Sequence, residues 1–322
     1  MSVEIVASPG ARRAEGAAHP GFWQRWRDSD LWWSFKRSKL TVAAAVVTAV
    51  IVLASLLAPV VAPYDPTDLS TLSLLDAMNP PAWAESGTWA HVLGTDDQGR
   101  DMLSAILFGS RISLLVGAAS VLLAMAIGVA LGLLAGYVGG WIDTVIMRLA
   151  DVQLSFPAIL IAILIDGVGK TALPRDLQGS IAVWVVIFAI ALSYWVHFAR
   201  TVRGSTLVER GKEYVQAARV IGVHPLVIMA RHVLPNVVGP VLVIATINLA
   251  QAIITEATLS FLGLGVPATQ PSLGTLIRIG NNFLFSGEWW IAIFPGITLA
   301  LLALAVNLLG DWLRDALNPK LR

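Results

Sequence analysis

Six apolar runs, each about 20 residues or longer, decide what this chain can fold into. They are Leu40–Val61, Ile112–Val138, Val145–Ile165, Ile181–Ala199, Val237–Leu262 and Trp290–Leu309. A helix of that length crosses the ~30 Å hydrocarbon layer, and a helix satisfies its own backbone hydrogen bonds where water is absent. The expected fold class is therefore all-α: a polytopic membrane protein with six transmembrane helices. The low charge agrees, because 13% charged residues is about half the ~25% of a soluble domain. The first run is too long for a signal-peptide core, and its flank Pro59–Pro63 makes a poor cleavage site, so it is expected to remain as an anchor.

The distribution of Lys and Arg sets the orientation. With the amino terminus inside, 17 of the 22 basic residues fall in inner segments and five fall outside. Both termini are then cytoplasmic. The expected organisation is a tail and interfacial helix over 1–39, a first span with a large outer loop over 40–110, and a five-helix core over 111–322. Residues 1–21 lack hydrophobic period and are expected to be disordered. Phe22–Leu40 interleaves Trp23, Trp26, Trp32 and Trp33 with Arg25, Arg27, Lys36, Arg37 and Lys39. Aromatics beside cations favour the headgroup layer, so lipid contact is expected there.

Several chemistries are set aside. The chain has no cysteine and five scattered histidines, which excludes thiol catalysis and leaves no metal-ligand spacing. A net charge of +1 gives no argument for nucleic acid. Gly167-Val168-Gly169-Lys170-Thr171 ends like a phosphate loop, but Leu164 stands where the first glycine belongs. No Ser/His/Asp or Cys/His arrangement is apparent, so no catalytic residue is assigned. In the outer loop, Thr95 and Gln98 have capping-box spacing and predict a short helix over Gly99–Phe108. The Asp96–Asp101 cluster lacks the alternating ligands of a calcium loop and reads as helix capping with local ion pairs.

Within the spans, two patterns stand out. The second carries a small residue at every fourth position, Ser120, Ala124, Gly128, Gly132, Gly136 and Gly140, which lets another helix approach closely. The fifth places Asn248, Gln251, Thr255 and Thr258 on one face. That face borders either a solute pathway or a hydrogen-bonded helix partner. Glu256 projects about 80° from the stripe, and an outer-loop Arg is its expected partner.

Between the fourth and fifth spans lies an inner loop, residues 200–236, containing the charged stretch Glu213–Asn236. It reads as two short helices. The first covers about Thr206–Ile221 and closes at Gly222 in the left-handed conformation. The second starts at Pro225 and ends near Leu234, because Pro235 disfavours helix before it.

This stretch resembles the cytoplasmic EAA loop of ABC-importer permeases, E-A-A-x3-G-x9-I-x-L-P. Gln216-Ala217-Ala218, Gly222 and Leu234-Pro235 occupy its places, with Gln216 instead of Glu and His232 instead of Ile. Glu213-Tyr214-Val215 before it and Arg231–Asn236 after it look like the dipeptide/oligopeptide branch. Leu93–Asp101, Phe261–Gly265, Pro271–Gly274 and Asn307–Pro319 are similar to signatures of that branch, and the likeness runs from about Lys36 to the carboxyl end.

The resemblance implies the type I ABC-importer permease fold, as a second, C-type permease in a bacterial inner membrane. It also implies a second homologous permease, two cytoplasmic ATPase subunits that hold ATP and Mg, and an extracytoplasmic peptide-binding protein. No cofactor would belong to this chain. Glu213, Gln216, Ala217, Ala218, Gly222 and His224 would meet an ATPase. Relatives that import nickel chelates, glutathione or other peptide-like solutes share these motifs. An ion-gradient carrier is the alternative of a different class, and no inverted repeat supports it.

Overall fold

In the computed structural model the described residues are 30–68, 74–172, 175–267 and 270–316. The amino-terminal tail and residues 22–29 of the Trp/Arg stretch lie outside them. The described part of that stretch forms α1, Asp30–Arg37. Ser38 then caps α2, Lys39–Leu56, by accepting from the Thr41 N–H.

The remaining order is α3 Met102–Val138, α4 Gly140–Leu154, α5 Ala158–Ala172, α6 Arg175–Glu209, α7 Glu213–Val220, α8 Leu234–Phe261, α9 Leu273–Asn281 and α10 Trp290–Ala316. Among the described residues, five helical segments are long and apolar enough to cross a membrane, or six when the bent pair α4 and α5 is counted as one span. The centre is the packing of α3 against α6. A Cβ on Gly132 would lie 2.6 Å from the Ala199 carbonyl oxygen, and one on Gly136 would lie 2.7 Å from Thr206 Cβ. Gly128 meets the backbone of Trp195 still more tightly. Only glycine permits this approach, in a setting where lipid gives no hydrophobic drive for association. Around the seam lie Val116, Val121, Ala124, Ile190, Phe198 and Val202, all buried.

Five expectations need correction. First, no separate helix covers Gly99–Phe108. Asp101 caps α3 by accepting from the Ser104 N–H at 2.8 Å, and the helix runs on for 37 residues. Thr95 is engaged elsewhere: its hydroxyl donates to the Asp76 carbonyl and accepts from the Asn79 N–H. Second, Gly140 does not continue the packing stripe. Gly139 and Gly140 have φ of 73° and 60° and form the turn that ends α3, and a Cβ on Gly140 would meet nothing within 4 Å. Third, Val145–Ile165 is not one straight span. The chain breaks at residues 155–157, before and at Pro157, and the flanking helical segments are bent by 96°.

Fourth, no new helix begins at Thr206. α6 continues to Glu209, and α7 starts only at Glu213. Fifth, the segment after Gly222 does not end near Leu234. A single turn, Pro225–Val227, passes into a π-helical turn over Ile228–Val233 and then directly into α8. The wide turn ends two residues before Pro235, which then occupies the first turn of α8, where a missing N–H costs nothing.

A candidate coupling elbow and a candidate pathway face

The elbow is α7 with the turn that follows it. Val215 and Ala218 point inward and are buried among Ile228, Met229 and Val233. Helical geometry then forces Gln216, Ala217 and Val220 outward, and all three are exposed. Ala217 and Ala218, adjacent in sequence, therefore face opposite ways. Val220 is 87% exposed and Ile221 77%, an unusual placement for two β-branched apolar side chains. Sequence reasoning passed over both. The signal was present, because an inward pair at 215 and 218 leaves 220 and 221 outside the core stripe.

The helix ends in a Schellman motif. Val223 N–H donates to the Ala218 carbonyl at 3.0 Å, and Gly222 N–H donates to that of Arg219 at 3.0 Å. Gly222 sits at φ +80°, which a β-branched residue would not tolerate. His224 then caps the next turn, its Nδ1 accepting from the Leu226 N–H at 3.3 Å. Glu213, Gly222 and His224 are all exposed, and Gln216 turns its amide toward the Gly211 carbonyl at 3.4 Å.

Polar ties fix the elbow to the spans. The Tyr214 hydroxyl donates to the Glu209 carboxylate at 2.5 Å and accepts from Asn236 Nδ2 at 3.1 Å. The bond to Glu209 pushes the phenol up to about 12. Lys212 Nζ also donates to Glu209, at 2.6 Å. Arg210 donates to the carbonyls of Gly136 and Tyr137 at the end of α3. Arg203 makes a two-pronged ion pair with Asp143 on α4, and Arg200 pairs with Asp151 on the same helix.

The pathway face divides. Gln251 and Thr258 are exposed on α8. Thr255 is half-buried and bonded to the Tyr194 hydroxyl at 2.9 Å. Asn248 is buried, and its Nδ2 has no partner among the described residues. One stripe thus serves two ends: two residues face outward and two face neighbouring helices. Below Gln251 the outward face continues into a cavity of ≈ 510 Å³ lined by Thr201, Pro240, Val243, Ile244, Ile247 and Arg314.

Among the described residues Glu256 has no arginine beside it, contrary to expectation. It is fully buried, and its oxygens accept from the hydroxyls of Ser113 and Ser260, both at 2.7 Å. Ser113 Oγ in turn accepts from the Leu273 N–H at 3.3 Å. Two hydroxyls supply what a lone cation was expected to supply, and Ser113 carries the link on to α9. The carboxyl thereby ties α3, α8 and the start of α9 together at the end opposite the elbow.

This architecture, apolar spans around a small-residue seam with a glycine-closed exposed helix between two spans, is that of a polytopic membrane protein. Residues 128–322 match the family described as "Binding-protein-dependent transport system inner membrane component". Residues 24–81 match "N-terminal TM domain of oligopeptide transport permease C". The chain belongs to the binding-protein-dependent transport system inner membrane components, and it is a multi-pass inner membrane protein.

The chain is 39% identical to the "Dipeptide transport system permease protein DppC" of Haemophilus influenzae, over 91% of this chain and 95% of that one. It is also 39% identical to the "Glutathione transport system permease protein GsiD" of Pectobacterium atrosepticum, over 92% of each. The "Oligopeptide transport system permease protein OppC" of Bacillus subtilis is 36% identical over 92% of this chain and 90% of its own length. Among solved structures, an inward-facing MetNI methionine ABC transporter matches with a TM-score of 0.53 at 20% identity, covering 67% of this chain and 98% of that chain. At that identity the match speaks for the fold alone.

Proposed function

We propose that this permease forms half of the pathway of an ATP-driven importer of di- and oligopeptides. A second homologous permease forms the other half. Two separate cytoplasmic ATPases bind ATP and Mg, and an extracytoplasmic binding protein delivers the peptide. The observation that carries this reading is the elbow. An eight-residue helix is held from behind by Val215 and Ala218 and offers Val220 and Ile221 to a partner. A surface of that kind fits a groove on another subunit, and Gln216, Ala217 and Glu213 flank it. Gln251 and Thr258, with the cavity beneath them, support a solute path along α8. Peptide as solute is favoured by the dipeptide and oligopeptide permeases among the relatives.

Glutathione, itself a tripeptide with an unusual linkage, is kept as a second solute because the relative named for it is equally similar. Purification from native membrane, followed by ATPase assay with candidate-loaded binding proteins, tests the reading. A second permease and ATPases are expected to co-purify, with hydrolysis stimulated by peptide-loaded binding protein. A chain that purifies alone, or a complex stimulated only by a non-peptide solute, would overturn it.

A further inference from the structure

The elbow helix is gripped at both ends, and the two grips lead to different spans. At its start, Tyr214 joins Glu209 at the end of α6 to Asn236 in the first turn of α8. Near its end, Arg219 reaches Tyr137, the penultimate residue of α3. Arg219 Nε donates to the Tyr137 hydroxyl at 3.2 Å, and its guanidinium carbon lies 4.6 Å from the ring centroid. The two partners differ in setting. Tyr137 is buried, and Arg219 is exposed. The tyrosine is therefore part of the span, and the arginine reaches it from outside.

Between these grips the buried residues of α7 are Val215 and Ala218, a small apolar footprint. Such a footprint permits rocking. A push on Val220 and Ile221 would turn the helix about that footprint unless its far end were tied. The tie to α3 is polar and aromatic, so it resists sliding as well as separation. Arg210 strengthens the receiving end by closing the Gly136 and Tyr137 carbonyls, which otherwise lack helical partners. Beyond Tyr137, the contacts at Gly128, Gly132 and Gly136 leave no slack between α3 and α6.

We propose that Tyr137 is a positioning residue for transport. Through Arg219 it passes the displacement of the elbow helix into α3, so that α3 and α6 move as one body. This rests on the coupling reading above. It adds that the Arg219–Tyr137 contact sets how much solute moves per ATP, rather than whether the ATPases bind.

The test uses the native complex in proteoliposomes, with ATP hydrolysis and uptake measured together. Tyr137→Leu removes both ring and hydroxyl. Arg219→Ala removes the other partner from an exposed position, where folding is not at stake. Each is expected to raise the ATP spent per solute imported by about fivefold or more, the least that a cation–π contact with one hydrogen bond represents. ATPase co-purification and hydrolysis rate stay near wild type. Tyr137→Phe keeps the ring and restores most of the coupling. The double variant Tyr137→Leu/Arg219→Ala is no worse than either single change, because both break one contact.

An unchanged ratio in Arg219→Ala and Tyr137→Leu overturns the proposal. So do additive losses, or losses that follow melting temperature, because those outcomes describe a merely structural tyrosine. Failure of the wider reading looks different: the wild-type complex itself would then lack ATPases or ATP-dependent uptake.

Discussion

The two ends of this permease solve opposite problems. At the end opposite the elbow, several polar groups are buried and paired. Asp96 and Arg100 form an ion pair at 2.6 Å, both nearly sealed. Asp101 accepts from Ser104 and lies 3.1 Å from His91, Trp290 Nε1 donates to the Thr95 carbonyl, and Glu256 accepts from the hydroxyls of Ser113 and Ser260. At the elbow the polar pairs lie nearer the surface, and Val220, Ile221 and Leu226 are apolar and exposed, as Leu75, Trp89 and Phe285 are in the outer loops. Buried pairs lock the far end together from within. The elbow is tied by pairs nearer the surface, and its exposed apolar side chains lie on a short helix between two spans, where a partner can reach them.

The comparison can be broken most forcefully at Gly274. A Cβ there would fall 2.6 Å from Ala257 Cα and closer still to its carbonyl oxygen, and neither backbone can yield. Gly274→Val is expected to abolish accumulation of folded protein, read from membrane yield and melting in detergent. A variant that accumulates and melts like wild type would show that this end is not tightly built.

Next in size is Glu256→Ala. It strips Ser113 and Ser260 of their acceptor inside the bundle, at about 1–3 kcal/mol for each group left unsatisfied. Melting should drop clearly. Glu256→Gln, which keeps one acceptor oxygen and can donate to a turned hydroxyl, should recover more than half of the loss.

A smaller effect of opposite sign is expected at Asp97. Burial, followed by the neighbouring Asp96 carboxylate, pushes the Asp97 carboxyl up from its usual value. A raised folded value means that the folded state holds the proton more tightly than the unfolded chain. The ionised group is then a burden at neutral pH, relieved as pH falls through the folded value. Asp97→Asn should raise melting temperature slightly at pH 7, and the gain should shrink toward zero near pH 4. A gain independent of pH would point to a cause other than charge.

The smallest stability effect belongs to the elbow. Val220→Ser with Ile221→Ser should leave melting within about 0.5 kcal/mol of wild type, as exposed substitutions usually do. The same change should release the ATPases during purification. Loss of stability with the partners retained would reverse the comparison.

The sequence made the spans legible because hydrocarbon imposes one length and one backbone solution on every crossing. Gly128, Gly132 and Gly136 were readable for the same reason: close helix approach requires small residues at a fixed interval. Gly222 could be placed because a helix that stops and turns needs a left-handed residue. What stayed hidden was set by tertiary partners. Thr95 has a capping-box pattern, but Asn79 and Asp76 claim its hydroxyl from far along the chain.

Arg200 and Arg203 looked like the start of a loop. They remain helical and pair with Asp151 and Asp143 on α4. Pro157 was visible inside an apolar run, yet hydropathy averaged across it and concealed the bend. Glu256 invited a cation because single-residue logic seeks one opposite charge, whereas the fold supplies hydroxyls. At the elbow, the matching motif drew attention to Ala217 and Ala218 alike, although only one of them faces outward.

The central claim is that this permease is moved by separate ATP-hydrolysing subunits acting on its elbow. The most direct test is solute uptake into liposomes holding the purified chain with its partner permease, with and without the ATPases, under an imposed ion gradient. The account predicts uptake only when ATPases, ATP and loaded binding protein are all present. Vigorous uptake driven by the gradient alone would contradict it.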